Sequence, residues 1–176
     1  MSGIASMTFQ YSQLAEPFQV RILDTRKTTP GLRYFEKYSV CMGGGTNHRF
    51  DLSSGILIKD NHLVATGGVL PALEKINKYN KNKYPVELEV DNLDQLKKGL
   101  DFGIDGVLLD NFSPIETIKA VKIIRNNSKG ESVFIESSGG INLKNIKDYL
   151  PLGIDAISSG ALTHSVKSSD IGLDFL

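Results

Sequence analysis

The chain has 176 residues and equal numbers of basic and acidic side chains, 20 Lys and Arg against 20 Asp and Glu. That length suffices for one domain with its own core, and the balance excludes a general nucleic-acid binder, which needs an excess of positive charge. One cysteine, Cys41, excludes an internal disulfide and fits a reducing cytoplasm; no apolar run reaches the ~20 residues of a membrane span, and the first residues, with no charged stretch leading into an apolar one, are not expected to be a secretory leader.

The first residues predict a helix. Ile4, Met7, Tyr11 and Leu14 recur at helical spacing until Pro17 stops them. The pattern begins without a capping lead-in, as if it were the second half of a longer helix. Short apolar runs then alternate with amphipathic ones. Strands are predicted at Val20–Leu23, Ile56–Ile58, Val86–Val90, Gly106–Leu109, Val133–Ile135 and Ala156–Ile157. Helices are predicted at Leu32–Tyr38, Val69–Asn80, Leu93–Phe102, Pro114–Asn126 and Leu143–Leu150. Asp170–Leu176 is a short, loosely alternating tail with no helix of its own. No repeat, low-complexity tract or linker divides the chain, so one domain spans residues 1–176.

Strand–helix alternation implies parallel strands with crossover helices. Nearly every predicted strand ends in polar residues: Asp24 to Lys27, Lys59 and Asp60, Glu89 and Asp91, Asp110 and Asn111, Glu136 to Ser138, Ser158 to Gly160. Parallel strands bring all these ends to one face. A (β/α) barrel uses that face for its site, whereas an open sheet converges only a few ends at its switch point. The expected fold is therefore an α/β, incomplete TIM-like barrel of about six parallel strands.

Arg26, Lys27, His48, Arg49 and Lys59 fall at strand ends or adjacent loops of the first third. Convergence of these groups requires an anion to offset their repulsion, and Arg is shaped to grip a carboxylate or phosphate with two bonds. A solvated Arg-Lys pair and a structural histidine are the alternatives taken singly. The triplet Gly43-Gly44-Gly45 allows a tight path or a close approach to a ligand; a flexible loop is the other reading. Ser137 to Gly140 and Ser159 to His164 follow the last two strands. Such small-residue turns make a phosphate cradle or are ordinary glycine turns. Glu89 and Asp110 are the acids best placed to meet Mg²⁺ or a developing positive charge, unless they serve only as salt-bridge partners. Glu87 shares the face of Glu89 but lies deeper. There is no Walker A, GxGxxG, HExxH or GxSxG motif, and Cys41 is expected to be a small core or loop residue.

Several segments carry a resemblance. They are Ile-Leu-Asp-Thr-Arg-Lys-Thr-Thr-Pro-Gly-Leu-Arg from Ile22, Gly-Gly-Gly-Thr-Asn-His-Arg from Gly43, and Ile-Leu-Ile-Lys-Asp-Asn-His from Ile56. Further ones are Glu-Val-Asp from Glu89, Leu-Asp-Asn-Phe from Leu109, Glu-Ser-Ser-Gly-Gly from Glu136, Gly-Ala-Leu-Thr-His-Ser from Gly160 and Asp-Ile-Gly-Leu-Asp from Asp170. In this order and number they resemble the quinolinate phosphoribosyltransferase family, over almost the whole chain.

The resemblance implies phosphoribosyl transfer from phosphoribosyl pyrophosphate to quinolinate, with loss of CO₂ and pyrophosphate, giving nicotinate mononucleotide for NAD synthesis. Mg²⁺ accompanies the pyrophosphate. Arg26, His48, Arg49 and Lys59 would hold the quinolinate carboxylates, with Lys27 at the border with the pyrophosphate. Lys27, Glu89 and Asp110 would be the catalytic set, the two acids facing the ribose and its metal, and Ser138, Gly140, Gly160 and His164 would cradle the 5′-phosphate. Family members also carry an N-terminal α/β sandwich domain, expected to be absent here. In homodimers or higher homo-oligomers that domain covers the partner's site and supplies an Arg to it. Residues 170–176 would be a strand that packs on that domain, leaving a role for a separate N-terminal chain. An inactive isolated barrel, a non-catalytic phosphate-binding or assembly remnant, and a paralogue acting on another aromatic acid are the alternatives.

Overall fold

The computed structural model describes residues 1–175. Helix α1 (Ser2–Ala15) buries Ile4, Thr8, Tyr11 and Ala15 on one side. Six strands then alternate with helices: β1 (Arg21–Leu23), α2 (Arg33–Met42), β2 (Ile56–Ile58), α3 (Asp60–Thr66), α4 (Val69–Tyr79), β3 (Val86–Val90), α5 (Leu93–Phe102), β4 (Gly106–Asp110), α6 (Pro114–Arg125), β5 (Phe134–Ser138), β6 (Ala156–Ser158) and α7 (Ala161–His164). The strands pair in the order β1-β6-β5-β4-β3-β2, and every pair is parallel. β1 and β2, consecutive in the chain, are thus the two edges of the sheet. An isolated bridge from Thr46 to Leu23 continues the first edge, so the structure is a barrel-like sheet with one seam, as expected for an incomplete barrel.

Local sequence explains the well-formed helices. Asn92 caps α5 by accepting from the main-chain N–H groups of Asp94 and Gln95 at 3.1 and 3.0 Å. Ser113 and Glu116 form a reciprocal capping box at the start of α6, with Pro114 in the first turn. The alternation of the central strands sends Leu88, Val90, Val107, Leu109 and Ile135 into the fully buried layer under the helices.

Three expectations need correction. The predicted helix Leu143–Leu150 is instead two 3-10 turns, Ile146–Asp148 and Leu150–Leu152. Asn142 accepts from Lys144 N at 2.9 Å and Asn145 from Asn142 N at 2.7 Å, so local side-chain bonds displace the helical ones, and Pro151 sits inside the second turn, where it has no N–H to give to a helix. Cys41 is neither core nor loop: it lies on the exposed side of α2. The glycine triplet approaches a helix rather than a ligand. A Cβ at Gly45 would stand 2.7 Å from side-chain atoms of Thr8 and Val40, and one at Gly43 2.4 Å from Ala5 O. Residues 170–175 pair with no strand of this chain, and Leu173 and Phe175 are 84% and 95% exposed; Leu176 lies outside the described residues. Among the described residues no helix is long and apolar enough to cross a membrane.

Candidate active site

Strand register builds the site in layers. Glu87 pairs with Gly106, and Gly106 with Phe134. One step up, Glu89 pairs with Leu108, Leu108 with Glu136, and Glu136 with Ala156. At the rim Asp110 pairs with Ser138 and Ser138 with Ser158. Because side chains alternate along a strand, all of these project to the concave side. There a cavity of about 460 Å³ is lined by Arg26, Lys27, His48, Arg49, Lys59, Glu89, Asp110, Glu136 and Ser138, among others. A second lobe of about 400 Å³ adjoins it through Lys27, Asp110, Ser138 and Ser158, and is lined by Gly140, Ser159, Gly160 and His164. Every site residue expected from the sequence lies in one lobe or the other.

The basic lobe is an electrostatic frame with unused donors. Lys59 Nζ lies 2.5 Å from Glu89 Oε2. Arg49 donates to Gly55 O at 3.3 Å, bridging toward the β2 edge. The Nε atoms of Arg26 and Arg49 are buried and have no acceptor among the described residues. Burial, followed by repulsion from Arg26, lowers the pKa of Arg49. Such donors are rarely left unpaired in a protein, and both residues belong to the cavity wall.

His48 is held between acids that sequence reasoning left out of the site. Its Nε2 is 3.2 Å from Glu136 and 3.6 Å from Glu87. Burial pulls the imidazole pKa down, but the bonds and charges of Glu136 and Glu87 outweigh it and raise the value to about 9. Arg49 N–H, 2.6 Å from Nδ1, favours the neutral ring instead. The acids prevail, because charge-assisted bonds are roughly twice as strong as neutral ones and two carboxylates face the ring. In either state Nε2 carries a proton toward Glu136. His48, Glu87 and Glu136 offer ligand atoms within 4.8 Å of one another, but the ring proton and Arg49 already supply the opposing charge. Glu136 stands two residues before Ser138, so the alternation that selected Ser138 also points Glu136 inward; Glu87 was passed over as too deep.

The second lobe is made of turns. Asn111 adopts a left-handed backbone, φ 56°, rare for a residue with a side chain and tolerated best by Asn. Its N–H donates to Ser138 O, and its amide donates to Asp110 Oδ2, each at 2.8 Å. Gly139 is required beside it, since a Cβ there would fall 2.2 Å from Asn111 Oδ1. Asn142 and Asn145 both donate to Gly140 O at 3.1 Å and pin the next turn. Thr163 Oγ1 donates to Lys27 O at 2.5 Å, tying α7 to the basic loop. Burial, then the nearby Asp91, raises the pKa of Asp110.

Comparison with known proteins fits this architecture. Residues 4–174 match the family model for quinolinate phosphoribosyl transferase, C-terminal domain. The chain is 42% identical over 99% of its length to a probable nicotinate-nucleotide pyrophosphorylase (carboxylating) of Bacillus subtilis, and 45% identical to the Mycobacterium leprae enzyme of that name. It covers 58% and 60% of those proteins, and so spans well under two thirds of their length. The crystal structure of nicotinate-nucleotide pyrophosphorylase from Ehrlichia chaffeensis superposes with a TM-score of 0.91 at 41% identity, over 98% of this chain and 61% of that one. The chain therefore belongs to the quinolinate phosphoribosyl transferase family and corresponds to its C-terminal domain.

Proposed function

We propose that this chain is the barrel of an enzyme that transfers a phosphoribosyl group from phosphoribosyl pyrophosphate to quinolinate, releasing pyrophosphate and CO₂ and forming nicotinate mononucleotide. The observation that carries the reading is the pair of buried, unpartnered guanidinium nitrogens in a cavity that also receives His48 and Lys59. A planar dicarboxylate satisfies both donors and offsets the positive charge of the lobe. The names of the relatives and the family match point to the same substrate.

The two lobes then divide the reaction. Arg26, His48, Arg49 and Lys59 hold the dicarboxylate, and the turns at Ser138, Gly140, Gly160 and His164 take the 5′-phosphate. Asp110 and Lys27 line both lobes, so the ribose carbon that accepts the ring nitrogen lies beside them. As pyrophosphate leaves, positive charge grows on the ribose, and Asp110 and Glu89 stabilise it, while Lys27 meets the departing pyrophosphate. Once the ring nitrogen is substituted and positive, the adjacent carboxylate leaves as CO₂ with its electron pair retained on the ring, and that carbon takes up a proton.

Asp110 has one carboxylate oxygen not engaged by Asn111, whereas Glu89 is occupied by Lys59. The pair fits Mg²⁺ held mainly through water; the ion would neutralise the pyrophosphate as it departs. Tyr34, Phe35 and Tyr38 are exposed on α2 near the basic loops, which supports a covering partner: a second subunit, or an N-terminal domain in the same or a separate chain. The lone cysteine supports a reducing, cytoplasmic location.

The test is calorimetric titration of the chain with quinolinate, then product formation with phosphoribosyl pyrophosphate and Mg²⁺. Binding with turnover, or binding without it in the isolated barrel, supports the reading. A folded chain that does not bind quinolinate overturns it.

A further inference from the structure

Helix α2 carries Arg33, Glu36 and Lys37, a set that shares one helical face. None of them serves the helix itself. Arg33 donates to Thr28 Oγ1 at 3.0 Å, to Arg26 O at 3.2 Å and to Phe50 O at 3.4 Å. Glu36 accepts from Thr29 N at 3.0 Å. Lys37, 1% exposed, pairs with Asp24, 0% exposed, at the end of β1. One helix face therefore grips both loops that bear the basic residues.

The Lys37–Asp24 pair is the centre of this grip. Asp24 Oδ1 accepts from His48 N at 2.9 Å, and Lys37 Nζ donates to His48 O at 3.2 Å. Both main-chain polar groups of His48 thus end on the two members of one buried ion pair. Asn47, with its amide oriented to donate, adds bonds to Asp24 Oδ2 at 2.5 Å and Lys37 O at 2.9 Å. A buried ion pair is a poor device for stability alone, since apolar replacement of both partners is often neutral or stabilising. Here each partner directs a bond to the residue that lies against the cavity.

We propose that Asp24 and Lys37 are positioning residues: by clamping the main chain of His48 from both sides they aim His48 and Arg49 at the anionic ligand. Among the described residues no side-chain hydrogen bond or ion pair of Asp24 or Lys37 reaches the phosphate lobe, so the larger effect falls on the basic one. The ligand in question is quinolinate, so this part rests on the function proposed above; the clamp itself does not.

The test compares the full chain with Lys37→Met, Asp24→Asn and the double variant, which leaves no unpaired buried charge. Affinity for quinolinate is expected to fall at least about tenfold in the double variant, with affinity for ribose 5-phosphate unchanged. Asp24→Glu combined with native Lys37 should recover part of the loss. Wild-type quinolinate affinity in a folded double variant overturns the proposal, and so does an equal loss for both ligands. If the variants fail to fold, amide hydrogen exchange in the wild-type chain decides: His48 N–H should exchange far more slowly than Ser53 or Ser54 in the same connection, and equal rates overturn the clamp. If wild-type chain does not bind quinolinate at all, the substrate reading fails, and the same exchange measurement still decides the clamp.

Discussion

The two lobes reach anion recognition by opposite routes. The basic lobe uses long side chains, and two of its residues are braced by charge: Lys59 by Glu89, the His48 ring by Glu136 and Glu87, and the His48 backbone by Asp24 and Lys37. The phosphate lobe uses little but main chain, folded tightly by Gly139, Asn111 and two asparagines that hold Gly140 O. A lobe of side chains is therefore sensitive to pH and to loss of single charges. A lobe of turns is sensitive to added bulk.

The largest expected effect is in the basic lobe. Arg49→Ala removes a buried guanidinium and should weaken quinolinate binding about a hundredfold, on the order of 3 kcal/mol for a bidentate charged contact, while ribose 5-phosphate still binds; calorimetry with both ligands checks this. Next, Gly139→Ala places a Cβ against Asn111 at a backbone angle of φ 91°. It should cost about 2 kcal/mol of stability and weaken ribose 5-phosphate binding more than quinolinate binding, as seen by thermal melts and titration. The reverse ranking for either variant would break the division between lobes.

A third effect concerns pH. The folded pKa of His48, about 9, lies above the unperturbed value of roughly 6.5. Its protonation therefore contributes stability that is fully present below the unfolded value and is lost as pH rises through the folded one. Quinolinate affinity should follow the same course on the alkaline side, and Glu136→Gln should shift that fall to lower pH. NMR titration of the His48 ring checks both. The smallest effect is Ser113→Ala, which removes the α6 cap and should lower stability by about 1 kcal/mol without moving either affinity.

The parallel strands and the site face were readable because polar residues close each apolar run, and a parallel barrel collects those ends. Arg26, Lys59 and Asp110 follow from that rule alone. Glu136 shows its limit. It reads as one of the polar residues that end its strand, but the strand register is what puts it in one layer with Glu89, and its place beside the His48 ring depends on a loop from another element. Lys37 was invisible for a related reason. On an amphipathic helix a lysine reads as solvent-facing, and its burial depends on Asp24 arriving from a different element. The turns after Asn142 misled the helical pattern because asparagine side chains competed for the backbone locally. Long-range pairs of charge are what a linear pattern carries least.

The seam between β1 and β2 has a mechanical consequence. Arg26 and Lys27 follow one edge strand and Lys59 the other, and among the described residues no strand pairing joins the two edges. Like charges on opposite jaws push the ring open, with the bond from Arg49 to Gly55 spanning toward the second jaw. A dianion seated between them draws both jaws inward, acting as the fastener that the sheet lacks. Ligand binding would then stiffen the barrel where strand pairing does not.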